Sequence, residues 1–131
     1  FVRYGVMHRN TYLDSPRLLD RYYRLKREER ITFAGQITGV EGYMESAMSG
    51  ILAGRNAVRR AEGKPTGCPN GETMSGALTR YISDESVKHF QPMGANFGIL
   101  PPMEPKIRDK KERYAALSNR ALAALDRFLE K

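Results

Sequence analysis

The sequence predicts an α/β fold, and three stretches predict it. Ile31 to Ala34 is a short apolar, β-prone run that suits a strand buried in a parallel sheet. Gly35, Gly39 and Gly42 then punctuate a turn, after which a helical pattern with few breakers runs from about Val40 to about Arg60. An amphipathic pattern closes the chain, from about Ile107 to Leu129. Strand, glycine turn and helix in this order leave backbone N–H groups without helical partners in the first turn. Those groups, with the positive end of the macrodipole, suit an anion or an electron-rich ligand, and glycines let a flat ligand reach the backbone. An ordinary strand-to-helix connection has the same pattern, and spacing alone does not separate the two.

Taken in order, Phe1 to Leu13 is rich in Val, Tyr and Thr and reads as a strand running into a loop. His8, Arg9 and Asn10 at its end supply a ring, a forked cation and an amide. That set fits a planar, carboxylated ligand, and equally a polar loop whose side chains tie down backbone. Ser15-Pro16 is a turn or helix start. Between Arg17 and Glu29 the pattern is ambiguous: Leu18, Tyr22 and Leu25 have helical spacing, yet Leu18-Leu19 and Tyr22-Tyr23 suit short strands. The charge run from Lys26 to Arg30 reads as a solvated turn. In the helix that follows, Gly42, Ser46, Gly50, Ala53, Gly54 and Ala57 form a stripe of small residues that would permit close backbone approach. Glu41 and Glu45 near its start and Arg55, Arg59 and Arg60 near its end match the macrodipole. Gly63 and Pro65 stop it after about 20 residues, roughly 30 Å.

Lys64 to Asn70 is loop. Thr73 is a good N-cap for a helix from Met74 to Ile82, with Ala77, Leu78 and Tyr81 on one face. Residues 83–105 carry four prolines with Gly94 and Gly98 and no periodicity, a long loop that Phe90 and Phe97 should pin down. The last helix has Tyr114, Leu117, Ala121, Leu125 and Phe128 on one stripe. Its charged side is a solvated face, or a face for RNA through Arg108, Lys110, Lys111 and Arg113.

A chain of 131 residues, 40% hydrophobic and 28% charged, can bury one modest core and does not have a disordered composition. No apolar run approaches the roughly 18–20 residues that span a bilayer, and no signal peptide is visible. The net charge of +7 points to a polyanionic partner such as nucleic acid, or to a solvated basic surface. The single cysteine, Cys68, rules out an internal disulfide and fits a reducing cytoplasm. In its Gly/Pro loop it is either a reactive thiol or an incidental exposed one. His8 and His89 are far apart and no Cys-x-x-Cys exists, so no metal site is expected. Also missing are a catalytic triad, a phosphate P-loop, paired carboxylates on one element and the Gly-x-Gly-x-x-Gly fingerprint. The chain starts on Phe1 rather than Met and is read as the C-terminal piece of a longer protein.

The segment Phe33-Ala-Gly-Gln-Ile-Thr-Gly-Val-Glu-Gly-Tyr43, followed by Glu45-Ser-Ala47 and Gly50-Ile-Leu-Ala-Gly54, resembles the C-terminal flavin motif of one flavoprotein family. That family is the bacterial folate- and FAD-dependent tRNA (uracil-5-)-methyltransferases; flavoproteins that modify the tRNA wobble uridine share its Gly-Gln and Gly-Tyr core. The likeness continues through Gly5-Val-Met-His-Arg-Asn-Thr-Tyr12 upstream, and through Phe90-Gln-Pro-Met93 and Ala95-Asn-Phe-Gly98 downstream. Gly67-Cys-Pro-Asn-Gly71 does not match the family pattern. The resemblance implies the C-terminal part of an FAD-binding, Rossmann-like domain of the glutathione-reductase type. Residues 1–62 would be its last strands and flavin-facing helix, and 63–131 a helical extension with the loop at about 83–105. It also favours short extended pieces between Arg17 and Glu29. Gly35, Gln36, Ile37, Thr38, Gly39, Val40, Glu41, Gly42 and Tyr43 would bind FAD, and His8, Arg9 and Asn10 the folate. The pyrophosphate-holding part and the nucleophilic cysteine would lie upstream, in the rest of the same polypeptide. The implied reaction moves a methylene from 5,10-methylenetetrahydrofolate to C5 of a T-loop uridine of tRNA, with NAD(P)H as reductant. The alternatives are a wobble-uridine flavoprotein, disfavoured by the Gly-Val-Met-His-Arg-Asn run, and a non-catalytic basic RNA-binding fragment.

Overall fold

The computed structural model describes residues 11–130, so His8, Arg9, Asn10 and all but the end of the first expected strand lie outside the described residues. The chain enters through α1 (Ser15–Leu18), a single turn with Pro16 in its first positions, where a missing N–H costs nothing. Strands β1 (Arg24–Leu25) and β2 (Glu28–Thr32) form an antiparallel hairpin. The ambiguous stretch is therefore one helical turn followed by short extended pieces. Only part of the charge run is a turn, since Glu28 to Arg30 belong to β2.

The run at Ile31 is not a strand buried in a parallel sheet. Among the described residues it ends a two-stranded ribbon whose partner strand is two residues long, and Ile31 remains 45% exposed. Parallel pairing occurs instead between β3 (Val40–Glu41) and β4 (Met93–Gly94), which brings the middle of the long loop beside the glycine turn. The fold is a helix-and-strand mixture with two small sheets rather than one large one among the described residues.

The long helix α2 runs Tyr43–Ala61, starting three residues later than the periodicity suggests because Val40 and Glu41 are taken up by β3. It stops where Gly63 turns to φ +68°, ahead of Pro65. Its buried face is Ser49, Leu52, Ala53 and Asn56. The stripe of small residues is thus not the packing face: of its members only Ala53 is buried, and a Cβ added at Gly50 or Gly54 would meet nothing. Leu52 and Ala53 point to the core because Tyr23, Val40, Ile82 and Phe90 wait there. Full burial of each large apolar side chain contributes about 1.5–3 kcal/mol.

Helix α3 (Met74–Ile82) has the expected bounds and cap, with the Thr73 hydroxyl accepting from the Gly76 N–H at 2.9 Å. Helix α4 (Lys110–Leu129) is capped by Asp109, which accepts from the Glu112 N–H at 2.8 Å. Leu117 and Ala124 are its buried residues, and Leu117 joins Ala77 and Leu100 in a second cluster. The long loop is tied down by its aromatics as expected. Phe90 is in the first core, with Tyr81 and Tyr12 rings 5.5 and 6.0 Å away, and Phe97 stacks on Tyr114 at 4.4 Å. Cys68 is half-buried rather than exposed, its Sγ 3.1 Å from the Thr79 hydroxyl. No helix among the described residues is long and apolar enough to cross a membrane.

Candidate functional site

The glycine turn is a clamped loop. Gly35 (φ +80°) opens a 3-10 turn over Gln36–Thr38, and Gly39 (φ +86°) closes it in the left-handed region. Four neighbours hold it. The Ser15 hydroxyl donates to the Thr38 carbonyl at 2.8 Å, and the Leu13 N–H donates to the Ile37 carbonyl at 2.8 Å. The Ser49 hydroxyl accepts from the Gly35 N–H at 2.7 Å while donating to the Ser46 carbonyl of its own helix. The Met93 N–H donates to the Gly39 carbonyl at 2.9 Å. Helix α1, helix α2 and strand β4 thus fix one short loop.

This clamp divides the predicted ligand residues into two sets. Thr38, Gly39 and Val40 are buried. The Thr38 hydroxyl is spent on the Gly35 carbonyl at 2.8 Å, Val40 lies in the core, and a Cβ on Gly39 would overlap the Phe90 ring. Gln36, Ile37, Gly42 and Tyr43 face solvent, with Tyr43 96% exposed, and Gly35 and Glu41 are intermediate. A Cβ added at Gly35 would meet nothing within 4 Å, so there is free space beside the Gly35 backbone.

The start of α2 is the other half. Gly42 caps it at φ +100°, with no side-chain cap, so the first-turn amides have no partner from the helix itself. Glu45 folds back beside Gly42 and accepts the Ala95 N–H on Oε1 at 2.8 Å. This carboxylate complements the macrodipole and gives the helix start an acidic lip. A Cβ at Gly42 would overlap this carboxylate, whereas one at Gly35 would meet nothing within 4 Å. Beyond Tyr43, the side chains of Met44, Ile51 and Val58 are exposed at seven-residue steps along one line of α2, a second apolar strip opposite the packed face.

Sequence reasoning missed the clamping hydroxyls of Ser15 and Ser49, the Glu45 hydrogen bond to Ala95 and the approach of Phe90 to Gly39. A Glu three residues after a helix-starting glycine was a usable signal for Glu45; the hydroxyl clamps span 14 and 23 residues and have no local signature. Burial raises the Tyr23 phenol well above its ordinary range, with the Cys68 thiol adding to it, and its hydroxyl has no hydrogen-bond partner. Among the described residues no cluster of His, Cys, Asp and Glu is suited to a metal ion.

Sequence comparison connects this clamped loop and helix start to known proteins. Residues 1–65 match the family described as Glucose inhibited division protein A. The whole chain is similar to proteins named methylenetetrahydrofolate--tRNA-(uracil-5-)-methyltransferase TrmFO. It is 58% identical over 130 residues to that of Syntrophomonas wolfei, covering 99% of this chain and 30% of the relative. Against that of Streptococcus agalactiae serotype III it is 55% identical over 130 residues, 98% of this chain and 29% of the relative. For that of Enterococcus faecalis the figures are 57% over 123 residues, 93% and 28%. The chain is thus similar over nearly all of its length to these methyltransferases, and it spans about three-tenths of the length of the curated relatives it matches.

Proposed function

We propose that this chain forms the flavin-ring side of the FAD site in a folate-dependent tRNA (uracil-5-)-methyltransferase. The observation that carries the reading is identity of 55–58% across essentially the whole chain to relatives whose names specify methylenetetrahydrofolate, tRNA and uracil C5. The geometry supports it, because the space beside the Gly35 backbone is free for a planar ring to approach. In this reading residues 1–62 complete a Rossmann-like FAD domain, residues 63–131 extend it, and the rest of the polypeptide covers the exposed strip of α2. When bound, FAD supplies redox chemistry between the folate-borne methylene and uracil C5, with reducing equivalents drawn from NAD(P)H.

The chain's own residues bind and orient. Gly35, Gln36 and Ile37 line the face of the ring, and Thr38, Gly39 and Val40, locked behind them, hold that edge flat. Glu41, Gly42 and Tyr43 set the start of α2, whose amides stabilise negative charge at the ring's pyrimidine edge. His8, Arg9 and Asn10 hold the folate above it. A cytoplasmic setting supplies tRNA and keeps Cys68 reduced.

The test uses the full-length protein that carries this chain. Its absorbance spectrum should show bound flavin, and incorporation of the methyl carbon into T-loop uridine should require methylenetetrahydrofolate. His8→Ala should weaken apparent folate affinity, by tenfold at most if the ring stacks as an aromatic pair, while flavin stays bound. A colourless protein would leave only the RNA-binding reading. Folate-independent modification of the wobble uridine would move the chain to the other flavoprotein branch.

A further inference from the structure

We infer that the cleft between the 97–107 loop and the start of α4 is an RNA contact site that takes one unstacked nucleotide. It is a cavity of about 560 Å³, separate from the Gly35–Tyr43 edge. Its floor is apolar, from the buried Leu100 and Leu117. Its wall is an aromatic pair, Phe97 and Tyr114, stacked with ring planes 11° apart, and both rings are only partly buried. Cations surround that pair. The Arg113 guanidinium lies 5.7 Å from the Tyr114 ring and the Lys110 ammonium 5.6 Å, while the exposed Lys106 lines the rim.

Aromatic faces with adjacent cations are what single-stranded nucleic acid needs: every base has a π-face to stack, and every nucleotide brings a phosphate. The volume suits one nucleotide-sized group. Glu104 also lines the cleft and would repel phosphate, so the orientation is set. The base points inward, where Glu104 can accept from an exocyclic amine, and the phosphate points outward to Lys106 and Lys110. Arg113 is a poor phosphate ligand here because it already donates to the Ile107 and Arg108 carbonyls, both at 3.2 Å, and shapes the loop. The net charge of +7 supplies the long-range attraction.

That the nucleic acid is tRNA rests on the proposed methyltransferase reading. The experiment measures tRNA binding by filter retention at several salt concentrations, using the full-length holoprotein and two variants. Lys106→Glu/Lys110→Glu changes two exposed side chains and should leave flavin content and melting unchanged. It should weaken tRNA binding at least tenfold and lower the salt slope by about one to two. Phe97→Leu keeps the cleft apolar but removes the stacking platform, and should weaken binding about tenfold without changing the salt slope. In turnover, both should raise the tRNA KM and leave the folate KM unchanged. If the wild-type protein binds tRNA and both variants bind equally well, the cleft assignment is overturned. A raised folate KM in place of the tRNA KM would overturn it too, making the cleft a folate subsite. If the wild-type protein shows no affinity for tRNA, the methyltransferase reading itself fails and the inference with it.

Discussion

Gly39→Ala separates two reasons for a glycine in the turn: approach of a ligand, or approach of the protein's own core. At Gly39 φ is +86°, its N–H bonds the Gln36 carbonyl, and its carbonyl holds the Met93 N–H. An added Cβ would sit 2.7 Å from Cε1 of Phe90 and closer still to Cζ. The ring cannot simply step aside, because Phe90 is buried with Tyr81 and Tyr12 against it. The left-handed backbone costs an alanine about 1–2 kcal/mol, and overpacking a closed core costs about 1–3 kcal/mol. The expected loss is therefore about 2–5 kcal/mol, set against a total stability of about 5–15 kcal/mol for a typical domain. Gly54→Ala is the control: its Cβ meets open space in mid-helix, and the gain should be about 0.5–1 kcal/mol. Urea denaturation reads both as shifts of midpoint at constant slope. The reasoning is refuted if Gly39→Ala unfolds with the wild type, and above all if it keeps full stability but loses flavin.

Three further outcomes are expected. Gly42→Val forces a branched side chain into a backbone region (φ +100°, ψ 153°) that costs about 1–3 kcal/mol and pushes Glu45 from Ala95; flavin content of the full-length protein should fall before its melting temperature does. Tyr23→Phe should be neutral or slightly stabilising at pH 7, since the buried hydroxyl has no partner to lose. With the folded phenol raised above its unfolded value of about 10, the tyrosine's contribution is complete below that pH and lost as pH rises through the folded value. Denaturation at pH 7 and above pH 10 should therefore show a flatter alkaline decline in Tyr23→Phe. Asn56→Ala removes both hydrogen bonds to Gly67, at 2.8 and 2.9 Å, and should cost about 1–3 kcal/mol, with the Lys64–Asn70 loop the first site cut in limited proteolysis.

Signals carried by a few adjacent residues were legible in the sequence. Thr73 capping α3, Gly63 ending α2 and the Leu117 side of α4 each depend on local chemistry, and each stands as read. What failed depended on partners distant in the chain. Ile31 to Ala34 is apolar and β-prone, but burial of a strand is decided by what pairs beside it, and among the described residues β1 offers two. The small residues of α2 suggested a packing face, yet a helix turns toward the side where larger groups find contacts. Leu52 and Ala53 find Tyr23, Val40, Ile82 and Phe90.

The Gly35–Tyr43 stretch was legible as a motif but not as a division of labour. Nine consecutive residues, Gly35 to Tyr43, look like one binding strip in sequence. A strip this short cannot turn every residue outward, because its backbone must be held from behind. Thr38, Gly39 and Val40 accept that role: one hydroxyl closes the turn, one glycine admits Phe90, and one valine enters the core. Their packing leaves Gln36 and Ile37 exposed and Gly35 half-buried, with α2 starting just beyond. Substitutions behind the edge should therefore act on stability first and on ligand second, and substitutions on its open face in the opposite order. That ordering is a property of the clamp and does not depend on which flat ligand the edge receives.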